Sequence, residues 1–523
     1  MPIIIFLGEN MSQIYIAYGS ETGNAANLAN QFQQALLSEG FATNYSTLNE
    51  LTLKNLKSED YLFIFCSNFG DGEAPGNAYE FYQQLQQIKQ LKVQFIVFGL
   101  GDVAYSKFCG FTQQLDNKLK ELGATPIGNR VDADINYKTF FTQWLDAALK
   151  YFKGDKSTLQ NLLLQVKAYD TQNGYPATIK KVTRINQGDY PIYDIDIDIE
   201  GSDMCYQAGD LLYFIPPANK NTLNRITNFY GQLSQEQQEQ LSQKELRLLT
   251  KSIFRSISKK TANKDIKALT KISATQAFNQ YIYGRDIADV LQDFCTVENM
   301  PIEELIALLP EKLPRAYSIA SCGQNSPHIV KLCIREVNYT LNDKEYYGTA
   351  SHFLCHAEVG TSIDVYIRPN PHFHLPEESH LPIIMIGAGT GIAPYLGFLQ
   401  QKRQAETHLF FGERYRDKDF IYQELLEELQ NKGHLTQLHT AFSRDQENKL
   451  YVQHILEQQQ EKIWQLLENG AHIYICGSKS NLNNPIDKVL QNIVLKYTNM
   501  NEEEAQQWLY NLVTNERFHK DLY

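Results

Sequence analysis

Gln13-Ile14-Tyr15-Ile16-Ala17-Tyr18-Gly19-Ser20-Glu21-Thr22-Gly23-Asn24-Ala25 is the stretch whose reading decides the fold. Gln13 to Tyr18 reads as a buried strand. Gly19 to Ala25 is a small, hydroxyl-rich turn, and Ala26 to Leu37 continues with helical character. A strand, a small-residue loop and a helix N-terminus together make an anion site, because the first amides of the helix have no partner within it. The loop does not end in Gly-Lys-Ser/Thr, so it is not a nucleoside-triphosphate loop. Without a lysine it suits a single phosphate held by hydroxyls and backbone N–H groups.

Outward from this loop, two more buried strands end in glycine-rich turns. Tyr61 to Cys66 runs into Ser67-Asn68-Phe69-Gly70-Asp71-Gly72-Glu73, and Phe95 to Phe98 runs into Gly99-Leu100-Gly101-Asp102 and then Tyr105. In an open parallel sheet, ligands bind at the carboxyl ends of the strands. Phe69 and Tyr105 are then placed to flank a flat ring whose phosphate sits at Ser20–Ala25. The alternative is that they are loop aromatics closing the core. These loops, with Phe108-Cys109 and Arg130-Val131-Asp132-Ala133-Asp134, resemble the flavodoxin domain of the diflavin reductases. The resemblance implies FMN, held by Ser20, Glu21, Thr22, Gly23, Asn24, Ala25, Ser67, Asn68, Phe69, Gly70, Leu100, Gly101, Asp102, Tyr105, Phe108 and Cys109 over a domain of residues 11–152. Phe69 stands where some members carry Tyr. The acids Asp71, Glu73, Asp102, Asp132 and Asp134 either repel the flavin's own charge or steer a basic redox partner toward it.

Residues 153–173 are polar with a short apolar patch and read as a hinge linker. Tyr193 to Ile199 alternates strictly, which marks an antiparallel strand with one buried face. Residues from about 219 to 311 are rich in Gln, Lys and Leu and helical in pattern. Strands resume at Arg315–Ile319, Ile329–Val337 and Thr361–Ile367. The expectation for 174–378 is therefore an antiparallel β-barrel with a helical insertion. In a strand, Arg315 and Tyr317 share one face and Ser318 takes the other, which suits a large, flat, phosphate-bearing cofactor. This part resembles an FAD domain of the ferredoxin-reductase type carrying the connecting domain of the diflavin reductases. The resemblance implies that Arg315 holds the FAD pyrophosphate, with Ala316 beside it. It also implies that Tyr317 stacks on the isoalloxazine and Ser318 lies near its N5. Gly348, Thr349, Ala350 and Ser351 would offer N–H groups to phosphate, and Cys333, Ile334 and Arg335 would lie beside the ring.

Residues 379–523 read as a doubly wound dinucleotide domain. Leu381 to Ile386 is a buried strand, followed by Gly387-Ala388-Gly389-Thr390-Gly391, where a pyrophosphate fits near Gly389 and Thr390. His408 to Gly412 and His472 to Gly477 give further strands ending in glycine. Ser443, Arg444, Lys449 and Tyr451 supply the cations, hydroxyl and aromatic face that a 2′-phosphate and an adenine need, so NADPH is expected rather than NADH. The run from Ala441 to Gln453 matches the diflavin reductases. By that resemblance Gln453 joins the site, Tyr523 covers the FAD, and Ser318, Cys476 and Asp521 assist hydride transfer. Four positions depart from the family pattern, namely His374, Ser478, Leu482 and Pro485. They bear on the nicotinamide-side and pyrophosphate contacts.

The 523 residues fit about three domains, and 43% hydrophobic content supports several cores. A net charge of -12 disfavours nucleic acid and favours a basic protein surface as partner. The eight cysteines are scattered without a C-x-x-C pair, which argues against a metal centre or disulfide framework and for a reducing, cytoplasmic setting. The apolar Pro2-Ile3-Ile4-Ile5-Phe6-Leu7 is too short to span a bilayer and lacks a basic leader. Met1 and Met11 both stand as candidate starts, and no membrane attachment is expected. The resemblance as a whole implies electron flow from NADPH through FAD and FMN to a protein acceptor, in all expectation haem-containing. Within the family it leans toward the flavoprotein components of sulfite reductase, on Phe108-Cys109, Arg130–Asp134 and Asp521-Leu522-Tyr523. Those components usually carry an N-terminal extension, whereas here the first strand begins almost at once. A free-standing reductase for haem monooxygenases is the alternative. A non-catalytic scaffold or an FMN carrier is the alternative of another class.

Overall fold

Uninterrupted apolar runs become strands buried on both faces, and the alternating run becomes a strand buried on one. The computed structural model describes residues 12–68, 72–102, 107–134, 137–166 and 169–523. The chain divides into two units, one ending at Asp170 and the other running from Thr171 to Tyr523.

In the first unit the strands are β1 (Ile14–Gly19), β2 (Thr43–Thr47), β3 (Tyr61–Ser67), β4 (Gln94–Leu100), β5 (Thr125–Pro126) and β6 (Val131–Ala133). Their order is β2-β1-β3-β4-β5, with β6 also on β4, and every pairing is parallel. This is the flavodoxin-like doubly wound order. Helices Asn24–Ser38 and Tyr137–Phe152 cover one face, and Gly76–Gln87 and Gly110–Glu121 cover the other. Trp144, 1% exposed, fills the first face. It meets Phe32, Phe65 and Phe98 edge-on with ring centres 4.9, 5.3 and 5.6 Å away.

The first part of the stretch expected as a hinge, residues 153–173, packs on the first unit. Ser157–Asn161 is helical, Leu159 and Leu164 belong to the first core, and Gln165 bridges Asp132 in parallel. The apolar patch within the polar run is the reason. Its leucines cover the Asn129–Asp132 edge, where the Asn129 amide donates to the carbonyls of Gln160 and Leu162 at 2.9 and 3.1 Å.

The second unit begins with an antiparallel sheet. Its strands are β7 (Tyr175–Arg184), β8 (Ile192–Asp198), β9 (Leu211–Phe214), β10 (Arg315–Ser318) and β11 (Ile329–Arg335). A hairpin of β12 (Asn338–Leu341) and β13 (Lys344–Tyr347) precedes the last sheet strand, β14 (Ser362–Arg368). The order is β10-β9-β14-β7-β8-β11. The two edges meet through an Ile319–Leu332 bridge and an Ala320 N–H to Lys331 carbonyl bond of 2.8 Å, which closes the sheet as a barrel. Between β9 and β10 a set of helices, from Lys220–Tyr230 to Ile302–Leu308, packs around its own core of Ile226, Phe254, Leu291 and Leu305.

A parallel sheet completes the chain: β15 (Ile383–Ala388), β16 (Thr407–Glu413), β17 (Gln437–Phe442), β18 (His472–Gly477) and β19 (Phe518–Leu522), in the order β17-β16-β15-β18-β19. The turn after β15 needs its glycines. A Cβ on Gly391 would lie 2.1 Å from the Cys476 carbonyl oxygen, and Gly389 has a φ of +58°. Replacing Trp144 by Ala removes the largest side chain of the first core. In calorimetry of the full chain it should destabilise the first unit by about 3–5 kcal/mol and leave the transition of the second unit in place.

Candidate active site

The carboxyl ends of β1, β3 and β4 lie side by side. Gly23 takes a left-handed φ of 85° at the start of helix Asn24–Ser38, and no side chain caps that helix. The Ser20 hydroxyl accepts from Gly23 N–H at 3.0 Å, and Ser20 N–H donates to Asn77 Oδ1 at 2.8 Å. Glu21 accepts from Gly76 N–H at 2.5 Å. The loop is thereby held while Thr22 and Asn24 stay exposed and Ala25 is buried. At β3, the Ser67 hydroxyl donates to the Gly19 carbonyl at 3.4 Å, and Asn68 accepts from Phe111 N–H at 3.2 Å. At β4, Leu100 is buried, Asp102 is half-buried, and Gly101 donates to the Ala133 carbonyl at 2.8 Å. Phe108 and Cys109 are buried against Gly101, where a Cβ would come within 2.9 Å of each. Burial first, then the charge of Asp132, pushes the Cys109 thiol well up. Phe69, Gly70, Asp71 and Tyr105 lie outside the described residues.

Asp132 does not belong to an acidic rim. It is 5% exposed and takes two bonds of 2.8 Å from Arg130, which also reaches Asp116 at 3.1 Å. A buried carboxylate needs such a partner, and its neighbour in sequence supplies it.

In the second unit the barrel and the parallel sheet enclose a cavity of about 1130 Å³. From the barrel, Arg315, Ala316, Tyr317, Ser318, Cys333, Ile334, Arg335 and Gly348 to Ser351 line it. From the parallel sheet come Gly389, Thr390, Ser443, Arg444, Lys449, Tyr451, Gln453, Asp521 and Tyr523. Arg315 is held by Glu245 of the helical insertion at 2.7 Å, and Glu245 is 5% exposed. Burial pushes the Tyr317 phenol up. The Ser351 hydroxyl is used internally, accepting from Val337 N–H at 3.2 Å.

Ser318, Cys476 and Asp521 meet at one oxygen. The Ser318 hydroxyl donates to Asp521 Oδ2 at 2.6 Å, and the Cys476 thiol donates to the same atom at 3.6 Å. Cys476 is fully buried, does not line the cavity itself, and is kept protonated by burial and by Asp521. Tyr523 is fixed by its N–H to the Gly477 carbonyl at 3.1 Å and by its hydroxyl to Thr390 Oγ1 at 2.9 Å. Its ring is 63% exposed at the cavity.

At the other end, Ser443 and Arg444 donate backbone N–H groups to the carbonyls of Glu413 and Arg414, both at 2.9 Å. Arg444 and Lys449 are exposed, and among the described residues neither pairs with a carboxylate. Asp445 is turned to the Arg416 amide at 3.2 and 3.3 Å. Sequence reasoning missed Arg414, which lines the cavity with its guanidinium 3.6 Å from the Tyr190 ring centre. The available signal was its place directly after Gly412-Glu413 at the carboxyl end of a parallel strand. Glu413 and Arg335 also form a buried pair there; burial raises the Glu413 carboxyl and Arg335 opposes the rise. Of the departures, Ser478, Leu482 and Pro485 line the cavity, with Ser480 and Asn481, at the start of helix Lys479–Tyr497. His374 does not; it bonds the buried Asp210 at 2.6 Å.

The Flavodoxin family profile matches residues 16–159, and that of the oxidoreductase NAD-binding domain matches 385–484. The sulfite reductase [NADPH] flavoprotein alpha-component of Photobacterium profundum is 32% identical, covering 100% of this chain and 91% of that protein. The chain belongs to the family of sulfite reductase flavoprotein alpha-components. The alpha-components of a Shewanella species (strain MR-7) and of Bacillus subtilis are 30% and 29% identical, each over 98% of this chain and 89% of their own length. Exposed and without a carboxylate partner among the described residues, the cations Arg444 and Lys449 are expected to set nucleotide choice. Arg444→Ala and Lys449→Ala should each raise KM for NADPH by about 10-fold, the weight of one charged hydrogen bond, and leave KM for NADH unchanged in steady-state assays.

Proposed function

We propose that the chain is an NADPH-dependent diflavin oxidoreductase that passes electrons through FAD and FMN to a protein acceptor, the haemoprotein of a sulfite reductase. The observation that carries this is the cavity where Arg315, Tyr317, Ser318, Asp521 and the Arg444–Lys449 cations converge, with the buried Cys476 bonded to Asp521. It stands in one chain with a flavodoxin unit.

The residues fit the groups. A buried tyrosine, a clamped guanidinium and the amides of 349–351 suit FAD, and two unpaired cations beside Tyr451 suit a 2′-phosphate. The uncapped helix at Asn24 suits the single phosphate of FMN. Bound flavin takes two electrons from a nicotinamide and releases them singly, as a one-electron protein acceptor requires.

The chain supplies position and proton control. Tyr523 stands over the cavity, held at its hydroxyl by Thr390, so nicotinamide access requires that ring to move. Asp521 gathers the Ser318 hydroxyl and the Cys476 thiol on Oδ2, so one carboxylate oxygen holds two proton donors, of which Ser318 lines the cavity. Fusing both modules in one chain raises their effective concentration. A net charge of -12 favours a basic docking face on the acceptor. No helix among the described residues is long and apolar enough to cross a membrane. All eight cysteines are free thiols, as suits work in the cytoplasm.

Anaerobic stopped-flow absorbance is the test. NADPH should bleach two flavin equivalents rapidly and NADH far more slowly, and adding sulfite reductase haemoprotein should restore turnover. Asp521→Asn should slow the NADPH-driven phase about 10- to 100-fold, the loss of one charged hydrogen bond in the reacting state, with flavin content unchanged. Absence of flavin, or no bleaching with either nucleotide, would overturn the assignment.

A further inference from the structure

Glu336, His352 and His356 lie behind the cavity wall, and neither the electron path nor the nucleotide site uses them. We propose that these three residues bind a divalent transition-metal ion, zinc fitting best. Two imidazoles and a carboxylate form a zinc donor set with a fourth position left for water. A hard cation such as calcium needs six or more oxygens and finds one carboxylate here.

His352 and His356 are four residues apart, so the helix Thr349–Cys355 and its last turn carry both rings on one face. Glu336 follows β11 and points its carboxylate between them. Its Oε1 lies 2.7 Å from His352 Nδ1 and 2.9 Å from His356 Nε2, and the ring centres are 4.5 Å apart. One ligand atom from each residue lies within 4.8 Å of the other two. Metal–ligand bonds of about 2.0–2.2 Å would widen the present contacts by roughly half an ångström, which side-chain rotation supplies.

Charge points the same way. Glu336 is 5% exposed, and among the described residues no Lys or Arg pairs with it. A buried carboxylate with no permanent cation is costly, and only the two imidazoles stand opposite it. Their side chains are 37% and 52% exposed, so an ion can enter from solvent. Each imidazole keeps its proton on binding by carrying it on the far nitrogen, Nε2 of His352 and Nδ1 of His356. The ion would tie the end of β11 to the helix that follows Gly348. Those two elements are already joined by Gly348 N–H to the Val337 carbonyl at 2.7 Å, and both line the cavity. The absence of a C-x-x-C pair argues against a thiolate centre and has no bearing on an imidazole one.

The experiment is calorimetric titration of zinc chloride into chelator-treated holoprotein, beside His352→Asn/His356→Asn and Glu336→Gln. The wild type should bind one equivalent. The variants should lose more affinity than the roughly 10- to 100-fold that loss of an outer-sphere partner costs. Cobalt(II) should give a tetrahedral-type absorption spectrum in the wild type that both variants lack. The histidines are exposed and Glu336→Gln keeps shape, so folding is preserved in at least one variant. Absence of saturable binding, or undiminished binding in the variants, as an ion held instead by the stacked His472 and His519, whose Nδ1 and Nε2 lie 3.2 Å apart, would give, overturns the proposal.

Discussion

The hydrogen bond from the Ser318 hydroxyl to Asp521, 2.6 Å long, joins residues 203 positions apart and ties the barrel to the parallel sheet at the cavity. Ser318 ends β10, which sits at the seam where the barrel closes. Asp521 lies on β19, the edge strand of the second sheet, which is laddered only to β18. A charged hydrogen bond of this kind contributes roughly 1.5–3 kcal/mol, small beside the burial of either core. Its importance is positional. Cys476 on β18 reaches the same oxygen, and Asp521, Leu522 and Tyr523 all line the cavity, so the end of the last strand places three cavity groups at once.

The helical insertion contributes to this cavity and is more than a spacer. Glu245 holds Arg315, while Arg247 and Asn219 both donate to the Tyr347 carbonyl, at 2.6 and 2.8 Å. Tyr347 precedes Gly348, where the phosphate-side helix begins. The insertion therefore supports the two elements expected to meet phosphate. Its own core, around Phe254 and Leu291, lets it do so as a rigid body.

The sheets were legible because parallel strands buried on both faces are written as continuous apolar runs, as in Leu381 to Ile386 and Tyr61 to Cys66. The glycine-rich strand ends marked where ligands are expected to meet the sheets, and the resemblance implied roles for residues such as Arg444 and Asp521. Pairing partners were not legible. Nothing near Arg315 in sequence announces Glu245, and nothing near His374 announces Asp210, because an ion pair across the fold leaves no local period. Asp132 misled for the opposite reason: an acid in a polar run looks solvated until Arg130 and the leucines after 157 are seen to enclose it. Arg414 was passed over because the strand was read only as far as its glycine.

The cations of the cavity are of two kinds, and the difference separates a resident group from an exchangeable one. Arg315 is already oriented by a buried carboxylate, so little side-chain entropy is lost when it meets a phosphate, although part of its charge is spent on Glu245. That combination suits a ligand that stays. Arg444 and Lys449 are exposed and unpaired among the described residues, keeping their full field for an incoming anion and their freedom for its departure. Arg414, braced on the Tyr190 ring, also lines the cavity at the Arg444 end. A nucleotide that must enter, react and leave on every turnover is better served by the loose pair, and a flavin that must not leave by the braced one. On the proposed assignment, the arrangement of counter-charges would sort the two dinucleotides by residence time before any base or ring is recognised.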